Sequence, residues 1–487
     1  MVMSSVRHAS PTSSSAAQGI RVIPTTICVL GIKGANVGVM NLRMKMFHDA
    51  NAPLADGFRR KELLSISNED FESRHGFIQW AFPTPESSNQ VSTAPVLDLE
   101  TAVWLAEKPE VSTFLEAMTV RFLEFLSITE HWKQSYNHNH LRISRAIQSL
   151  RLLHSWELAD WFYNKVKEFA GDSLPVMERA DHYWAYYASP AHDHIAGAFV
   201  GLAIGDALGA PVEFADRGTF EPVTSYRSGG RFNLPAGAWT DDTAMALCLA
   251  QSLIEQKTLD NKDLLNKFCD WAENGTNTST GVAVGIGQNT LRVLGDFRRN
   301  GYLEALPFGT KNDGNGSLMR LAPVACFAKD NVEEALALAS VQSRATHASR
   351  HAEQCCQILS ELLCHLINGK PLMWAMEQAN NKLRNHEISM MMCRNIVEES
   401  ECDIQSGGYV IDTLHAALWS TLTTDNFKSA VLRACNLGDD ADTTAAVAGQ
   451  IAGAMYGYSN ISQELKEGLK DERKLYVTSQ FLGLSHY

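Results

Sequence analysis

The chain has little positive charge for its size. Its 487 residues include 42 Lys and Arg against 55 Asp and Glu, which gives a formal net charge of −13. A protein that binds nucleic acid without regard to sequence needs a basic face, so this balance argues against nucleic acid as a partner. An anionic small-molecule substrate stays possible, because a bound metal ion inverts the local field.

The sequence also lacks a paired-cysteine motif and a convincing membrane span. None of the ten cysteines belongs to a Cys-x-x-Cys pair, which predicts reduced thiols in a cytoplasmic protein. The best candidate span, residues 195–212, contains Asp206 and several glycines, so a packed helix is predicted there and no membrane partner. The first residues are rich in Ser and Ala, and no compact apolar region follows them, so no signal peptide is predicted.

What the sequence does have is apolar residues at helical spacing, and the predicted fold class is all-α. The length exceeds one hydrophobic core, so two helical domains are expected. We expect a disordered or poorly ordered tail over 1–40, a helical domain over 41–171, a linker over 172–191 and a second helical domain over 192–487. Gly201, Gly205 and Gly209 are expected to allow close helix packing in that second domain.

Two acidic clusters each precede an apolar, helix-forming run. One is Thr240-Asp241-Asp242-Thr243, and the other is Gly438-Asp439-Asp440-Ala441-Asp442-Thr443. A helix start gains from one capping side chain and a negative charge or two, so capping explains part of each cluster. Mg²⁺ and Mn²⁺ take oxygen ligands, and six oxygen-bearing residues suit two ions better than one. We therefore predict a dinuclear metal site shared by the clusters.

These residues resemble the ADP-ribosylglycohydrolase family, which includes the dinitrogenase reductase-activating glycohydrolases. The likeness runs from about His192 to near the C-terminus, and the motifs occur in the order that the family has. Besides the cluster at 438–443, they are the segments 201–209, 211–214, 239–243, 314–320, 345–347 and 407–410.

The resemblance implies a dinuclear centre of Mg²⁺ or Mn²⁺ and a role for each matching residue. One ion would be held by Thr240, Asp241 and Asp242, and the second by Asp440, Asp442 and Thr443, with Asp442 shared. Catalysis would fall to Glu213, Asp242 and Asp440, with Glu213 as a ligand or general base, and Asp206 would support the metals from behind.

Substrate binding is predicted at a glycine-rich turn and a histidine. The backbone N–H groups of Asn315, Gly316 and Ser317 would cradle a diphosphate, with the Ser317 hydroxyl assisting. His347 matches a family position near the phosphates or the adenine.

The implied function is metal-dependent removal of ADP-ribose from a modified protein, or a related conjugate, by cleavage at the anomeric carbon of the ribose. The alternatives are a non-catalytic ADP-ribose-binding module and a scaffold whose N-terminal domain selects the partner. The presence of every metal ligand favours the enzyme. Gly285 stands where many arginine-directed members have Asp, so ADP-ribosyl-arginine is expected to be a poor substrate that Gly285→Asp would improve.

Residues 40–171 resemble the conserved domain of the opioid growth factor receptor family, most specifically at 75–85 and 137–145. His138 and His140 could suggest a metal site, but at i, i+2 on a helix they would point apart and no third ligand is near in sequence. Polar residues that cap and line a helical packing site are the expected alternative. That family brings no established chemistry, so we expect a binding or regulatory module for a protein partner.

Overall fold

Helices supply all the regular secondary structure of the described chain. The computed structural model describes residues 41–54, 57–87, 95–308, 312–382 and 386–484, so the tail predicted over 1–40 lies outside the described residues. Those ranges contain 23 α-helices, four short 3-10 helices and no strand, with isolated bridges at Gly229–Leu234 and Gly314–Tyr409. The predicted all-α class is confirmed.

Nine helices precede residue 190. They are α1 Leu42–His48, α2 Arg60–Leu63, α3 Asn68–Ser73, α4 Ile78–Ala81, α5 Leu99–Ala106, α6 Pro109–Ile128, α7 His138–Leu153, α8 Trp156–Ala170 and α9 Glu178–Tyr187. Asn137 caps α7 by accepting the N–H of Asn139. The packing role expected for His140 is confirmed, because its Nε2 is 2.8 Å from the Trp132 carbonyl oxygen. The predicted linker, 172–191, contains most of a 3-10 helix (Gly171–Met177) and all of α9.

Fourteen helices follow. They are α10 Ala191–Gly209, α11 Asp241–Gln256, α12 Asn261–Asn274, α13 Gln288–Asn300, α14 Ala322–Phe327, α15 Val332–Thr346, α16 Arg350–Ile367, α17 Leu372–Asn381, α18 His386–Cys393, α19 Val410–Leu422, α20 Phe427–Cys435, α21 Ala441–Tyr456, α22 Gln463–Gly468 and α23 Glu472–Leu482.

The pair α10 and α21 packs backbone against backbone. A Cβ built on Gly205 would lie 2.7 Å from the Ala446 nitrogen and closer still to the Ala445 carbonyl, and Gly201 faces Gly449 in the same way. Because side chains longer than hydrogen would force the helices apart, the expected close packing at these glycines is confirmed. The helical stretch Trp156–Val212, which includes α10, is long and apolar enough to cross a membrane, but 94% of its most apolar window is buried inside the protein.

The N-terminal helices also contact the last helix of the chain. Arg473 of α23 donates to the carbonyl oxygens of Leu153 and His154 at 2.9 and 2.8 Å, and the Tyr476 hydroxyl donates to that of Arg151 at 3.1 Å. The contacts group all the described residues into one unit. The boundary between the two expected domains stays a prediction.

Candidate active site and metal centre

Both acidic clusters open helices, as predicted. Helix α11 begins at Asp241 after Thr240, and α21 begins at Ala441 after Asp440. Neither residue that precedes its helix makes a side-chain capping bond. A capping bond of its own therefore does not explain the carboxylate of Asp440.

The two helix starts meet although 202 residues separate them. The Thr240 hydroxyl oxygen lies 3.5 Å from a carboxylate oxygen of Asp442 and 3.4 Å from one of Asp242. One carboxylate oxygen each from Glu213, Asp440 and Asp442 lies within 4.8 Å of the others. The fold thus brings together side chains from three separate segments of the sequence at one acidic centre.

Asp206 of α10 holds the first cluster in place. Its Oδ1 accepts from both the N–H and the hydroxyl of Thr240 at 2.9 Å, and its Oδ2 accepts from the N–H and the hydroxyl of Thr243 at 3.0 and 2.7 Å. The Thr240 hydroxyl therefore donates its hydrogen bond to Asp206, which leaves the lone pairs of the oxygen available to a cation. This is the supporting position expected for Asp206.

Burying several ionised carboxylates together destabilises the folded protein unless a positive charge lies among them. Burial, then Asp241 and Asp440, raise the pKa of Glu213 to about 8. Burial, then the charge of Asp206, also raise the pKa of Asp241 to about 8, and the pKa of Asp242 lies well above its ordinary value for the same reasons. Two oxygens of this centre, Glu213 Oε2 and Asp242 Oδ1, are among the buried atoms that have no hydrogen-bond partner in the described chain. Hard oxygen donors with unused lone pairs fit a divalent cation.

Glu213 is positioned by an unusual pairing of two loops. Phe214 and Asp439 both have left-handed backbones, with φ of 63° and 54°. The Phe214 N–H donates to the Asp439 carbonyl at 2.6 Å, and the Asp439 N–H donates to the Ala215 carbonyl at 2.9 Å. A strained conformation in a bulky residue such as Phe214 persists only where surrounding contacts enforce it. Nothing in the sequence signals this pairing, so it could not be predicted from the residues alone.

The second cluster is joined to the predicted substrate turn. The Asn315 side chain donates to Asp440 Oδ2 at 2.8 Å and to the Thr413 hydroxyl at 2.9 Å. Its backbone N–H donates to the Gly408 carbonyl at 3.2 Å. The motifs at 314–320 and 407–410 therefore lie side by side at the edge of the acidic centre.

The fold places the other two predicted substrate residues, Ser317 and His347, in different surroundings. The Ser317 hydroxyl is buried 2.9 Å from that of Ser343, so the structure does not bring it to the carboxylates. The His347 ring packs on the turn, where a Cβ on Gly316 would lie 3.1 Å from its Cε1. Burial, helped by the charge of Arg320, lowers the pKa of His347 to about 3, so the ring is neutral. The substrate roles of these residues stay predictions.

Gly285 lies directly against the first cluster. Its φ is 84°, and a Cβ built there would lie 3.0 Å from the Asp241 Cγ and closer still to its Oδ1. A side chain at 285 would both strain the backbone and displace Asp241. The geometry therefore opposes the expectation that Gly285→Asp would add a useful carboxylate.

The fold and the site define an all-α protein with a buried acidic centre that fits divalent cations. Residues 188–485 match the sequence model of the family described as ADP-ribosylglycohydrolase. The chain belongs to the ADP-ribosylglycohydrolase family, and it is an enzyme of the hydrolase class. The match begins at residue 188, and the resemblance of residues 40–171 to the opioid growth factor receptor domain stays a prediction.

Similar proteins carry names of this family. The chain is 40% identical over 290 residues to ADP-ribosylarginine hydrolase Tri1 of Serratia proteamaculans, covering 59% of this chain and 78% of that one. It is 34% identical over 274 residues to ADP-ribosyl-[dinitrogen reductase] glycohydrolase of Rhodospirillum rubrum, covering 55% and 88%. A solved ADP-ribosylglycohydrolase-related protein complex is 34% identical, with a TM-score of 0.55, and covers 61% of this chain and 99% of its own.

Proposed function

We propose that this protein is a metal-dependent hydrolase that releases ADP-ribose from arginine-linked ADP-ribosylated protein. The observation that carries metal dependence is the buried acidic centre, in which Glu213 and Asp242 each keep an oxygen without a partner in the described chain. A centre of this kind is stabilised by cations and costly without them.

Two divalent cations, Mg²⁺ or Mn²⁺, would be held by the residues of the two helix starts. These are Thr240, Asp241, Asp242, Asp440, Asp442 and Thr443. When bound, such ions supply positive charge that fixes vicinal ribose hydroxyls and polarises an attacking water. The chain's part is to hold these oxygens in place, through Asp206 behind Thr240 and Asn315 beside Asp440.

Glu213 is the residue to which we assign the proton transfer. The bond between the anomeric carbon and the acceptor nitrogen breaks, and the oxygen of a water molecule takes its place on that carbon. The charge of bound cations would keep Glu213 ionised, and in that form it accepts a proton from this water through Oε2 and returns it to the departing nitrogen. Asp242 and Asp440 face the same space and stabilise the positive charge that develops on the sugar.

The acceptor is assigned from two observations. The names of the relatives from Serratia proteamaculans and Pseudomonas putida, at 40% and 39% identity, specify ADP-ribosylarginine. The Gly at position 285 predicted that ADP-ribosyl-arginine is a poor substrate, but this position has no room for a side chain in this fold. Asp439 is exposed beside Asp440, and among the described residues its carboxylate accepts a single bond, from Ser406 at 3.3 Å, so it can pair with a guanidinium.

The test is release of ADP-ribose by the full chain from arginine-linked and serine-linked protein, with Mg²⁺, Mn²⁺ or EDTA. We expect the arginine-linked substrate to be cleaved faster, and EDTA to stop the reaction until a cation is added back. Glu464→Gln, at an exposed ion pair with Lys428, is the matched control for loss of a carboxylate elsewhere. Turnover that continues in EDTA would refute the proposed metal dependence. Faster cleavage of the serine-linked substrate would refute arginine as the acceptor residue.

A further inference from the structure

The two N-terminal motifs, which the hydrolase site does not use, border a single cavity. It has a volume of about 760 Å³ and lies between α7, α9 and the segment 75–87. The motif at 75–85 contributes His75 and Thr84, the motif at 137–145 contributes His138, Arg142 and Arg145, and α9 contributes Tyr187. Small-molecule sites have volumes of about 300–1,000 Å³, so a ligand of nucleotide size fits this space.

The cavity is positively charged in a negatively charged protein. Its described lining includes two arginines, Arg142 and Arg145, and one carboxylate, Glu86. Arg145 donates to the Thr84 hydroxyl at 2.7 Å and to the Glu86 backbone carbonyl at 3.4 Å, and no described carboxylate forms an ion pair with it. The Nη1 and Nη2 donors of Arg142 are taken by backbone carbonyls, Asn139 and His75, so Arg142 contributes charge to the cavity but no free donor. Glu86 is itself engaged by Gln148 at 2.9 Å and by the Tyr187 hydroxyl at 3.3 Å.

We propose that this cavity binds a nucleoside diphosphate or an ester of one. Arginine pairs with phosphate oxygens through parallel N–H donors, and Arg145 has five such donors, of which the described residues use two. Tyr183 and Tyr187 supply aromatic surface for a base. The site is separate from the acidic centre, so this proposal does not depend on the hydrolase mechanism. Bound there, such a ligand would make the N-terminal helices a second recognition site on an ADP-ribosyl hydrolase.

Leu141 allows a test with little risk to the fold. Its side chain lines the cavity and is 63% exposed, so substitution leaves the core intact. Binding of ADP to the full chain is measured by calorimetry in EDTA for Leu141→Glu, Leu141→Lys and the neutral control Leu141→Gln. A single charge at this rim should change the affinity several-fold at low salt.

We expect Leu141→Glu to weaken ADP binding and Leu141→Lys to strengthen it relative to Leu141→Gln. The affinity for adenosine, which has no phosphate, and the rate of ADP-ribose release should be the same in all three variants. Arg145→Ala, with its fold checked by circular dichroism, should weaken binding by tenfold or more. The same ADP affinity in all three Leu141 variants would mean that ADP binds only at the acidic centre, or not through charge, and either result overturns the proposal.

Discussion

A matched pair of glycine substitutions tests how the active centre is built. Gly205 lies in α10 against α21, where an added Cβ would sit 2.7 Å from the Ala446 nitrogen. Gly295 lies within α13, where the nearest atom to an added Cβ is the flexible end of Arg299, at 3.4 Å. The same change, Gly→Ala, therefore meets backbone in one helix and nearly open space in the other.

The expected signs are opposite. In a helix interior Ala is about 0.8–1 kcal/mol more favourable than Gly, so Gly295→Ala should stabilise the protein by up to that amount. Gly205→Ala has the same gain, but the two helices must separate by roughly 1 Å, and overpacking of this kind costs about 1–3 kcal/mol or more. Because α10 carries Asp206 and α21 carries Asp442, the separation should also weaken metal binding and slow ADP-ribose release.

The assay is chemical unfolding of both variants, with turnover measured at several Mg²⁺ concentrations. We expect Gly205→Ala to lower the free energy of unfolding and to require more Mg²⁺ for half-maximal rate, while Gly295→Ala does neither. Equal stability and equal Mg²⁺ requirement in the two variants would refute the reasoning, since it rests on the direct contact of the α10 and α21 backbones.

Three further predictions concern the centre itself. Asp242→Asn and Asp442→Asn should each abolish turnover while circular dichroism stays near that of the wild type; near-normal rates at saturating Mg²⁺ would contradict the dinuclear site. Asn315→Ala should lower kcat/KM about tenfold, because Asp440 loses a 2.8 Å bond of about 1.5 kcal/mol, and an unchanged kcat/KM would show that this contact does not matter. In EDTA the free energy of unfolding should fall as pH rises from 4.5 to about 8, because folded Glu213, with its raised pKa, keeps a proton that the unfolded chain has lost. Thermal unfolding in EDTA at several pH values measures this pH dependence, and Mg²⁺ should remove most of it. A free energy of unfolding that does not change with pH would show that burial does not raise the pKa of these carboxylates.

Patterns within a few residues of one another predicted much of this protein. The four-residue spacing of Gly201, Gly205 and Gly209 places them on one helix face, and this face is where α10 meets α21. The acidic clusters ahead of apolar runs marked the starts of α11 and α21, because a helix begins where its apolar periodicity does.

Features that depend on distant residues or on backbone angles could not be predicted. The left-handed conformations of Phe214 and Asp439 result from pairing between loops far apart in sequence. The Ser317 hydroxyl lies in the core, where it contacts the Ser343 hydroxyl. Position 285 has no room for a side chain because the Asp241 carboxylate occupies that space. Single-sequence patterns contain no information on such contacts, and so the surroundings of the predicted substrate residues were less predictable than the positions of the two acidic clusters.

The central claim is that the two helix starts form one dinuclear metal centre. Equilibrium dialysis against Mn²⁺, with bound ions counted per chain for the wild type, Asp442→Asn and the control Glu464→Gln, tests this most directly. We predict two ions per chain in the wild type and the control, and fewer in Asp442→Asn, whose carboxylate we propose to be shared between the two ions. No bound Mn²⁺ in the wild type, or the same number in Asp442→Asn, would contradict the claim.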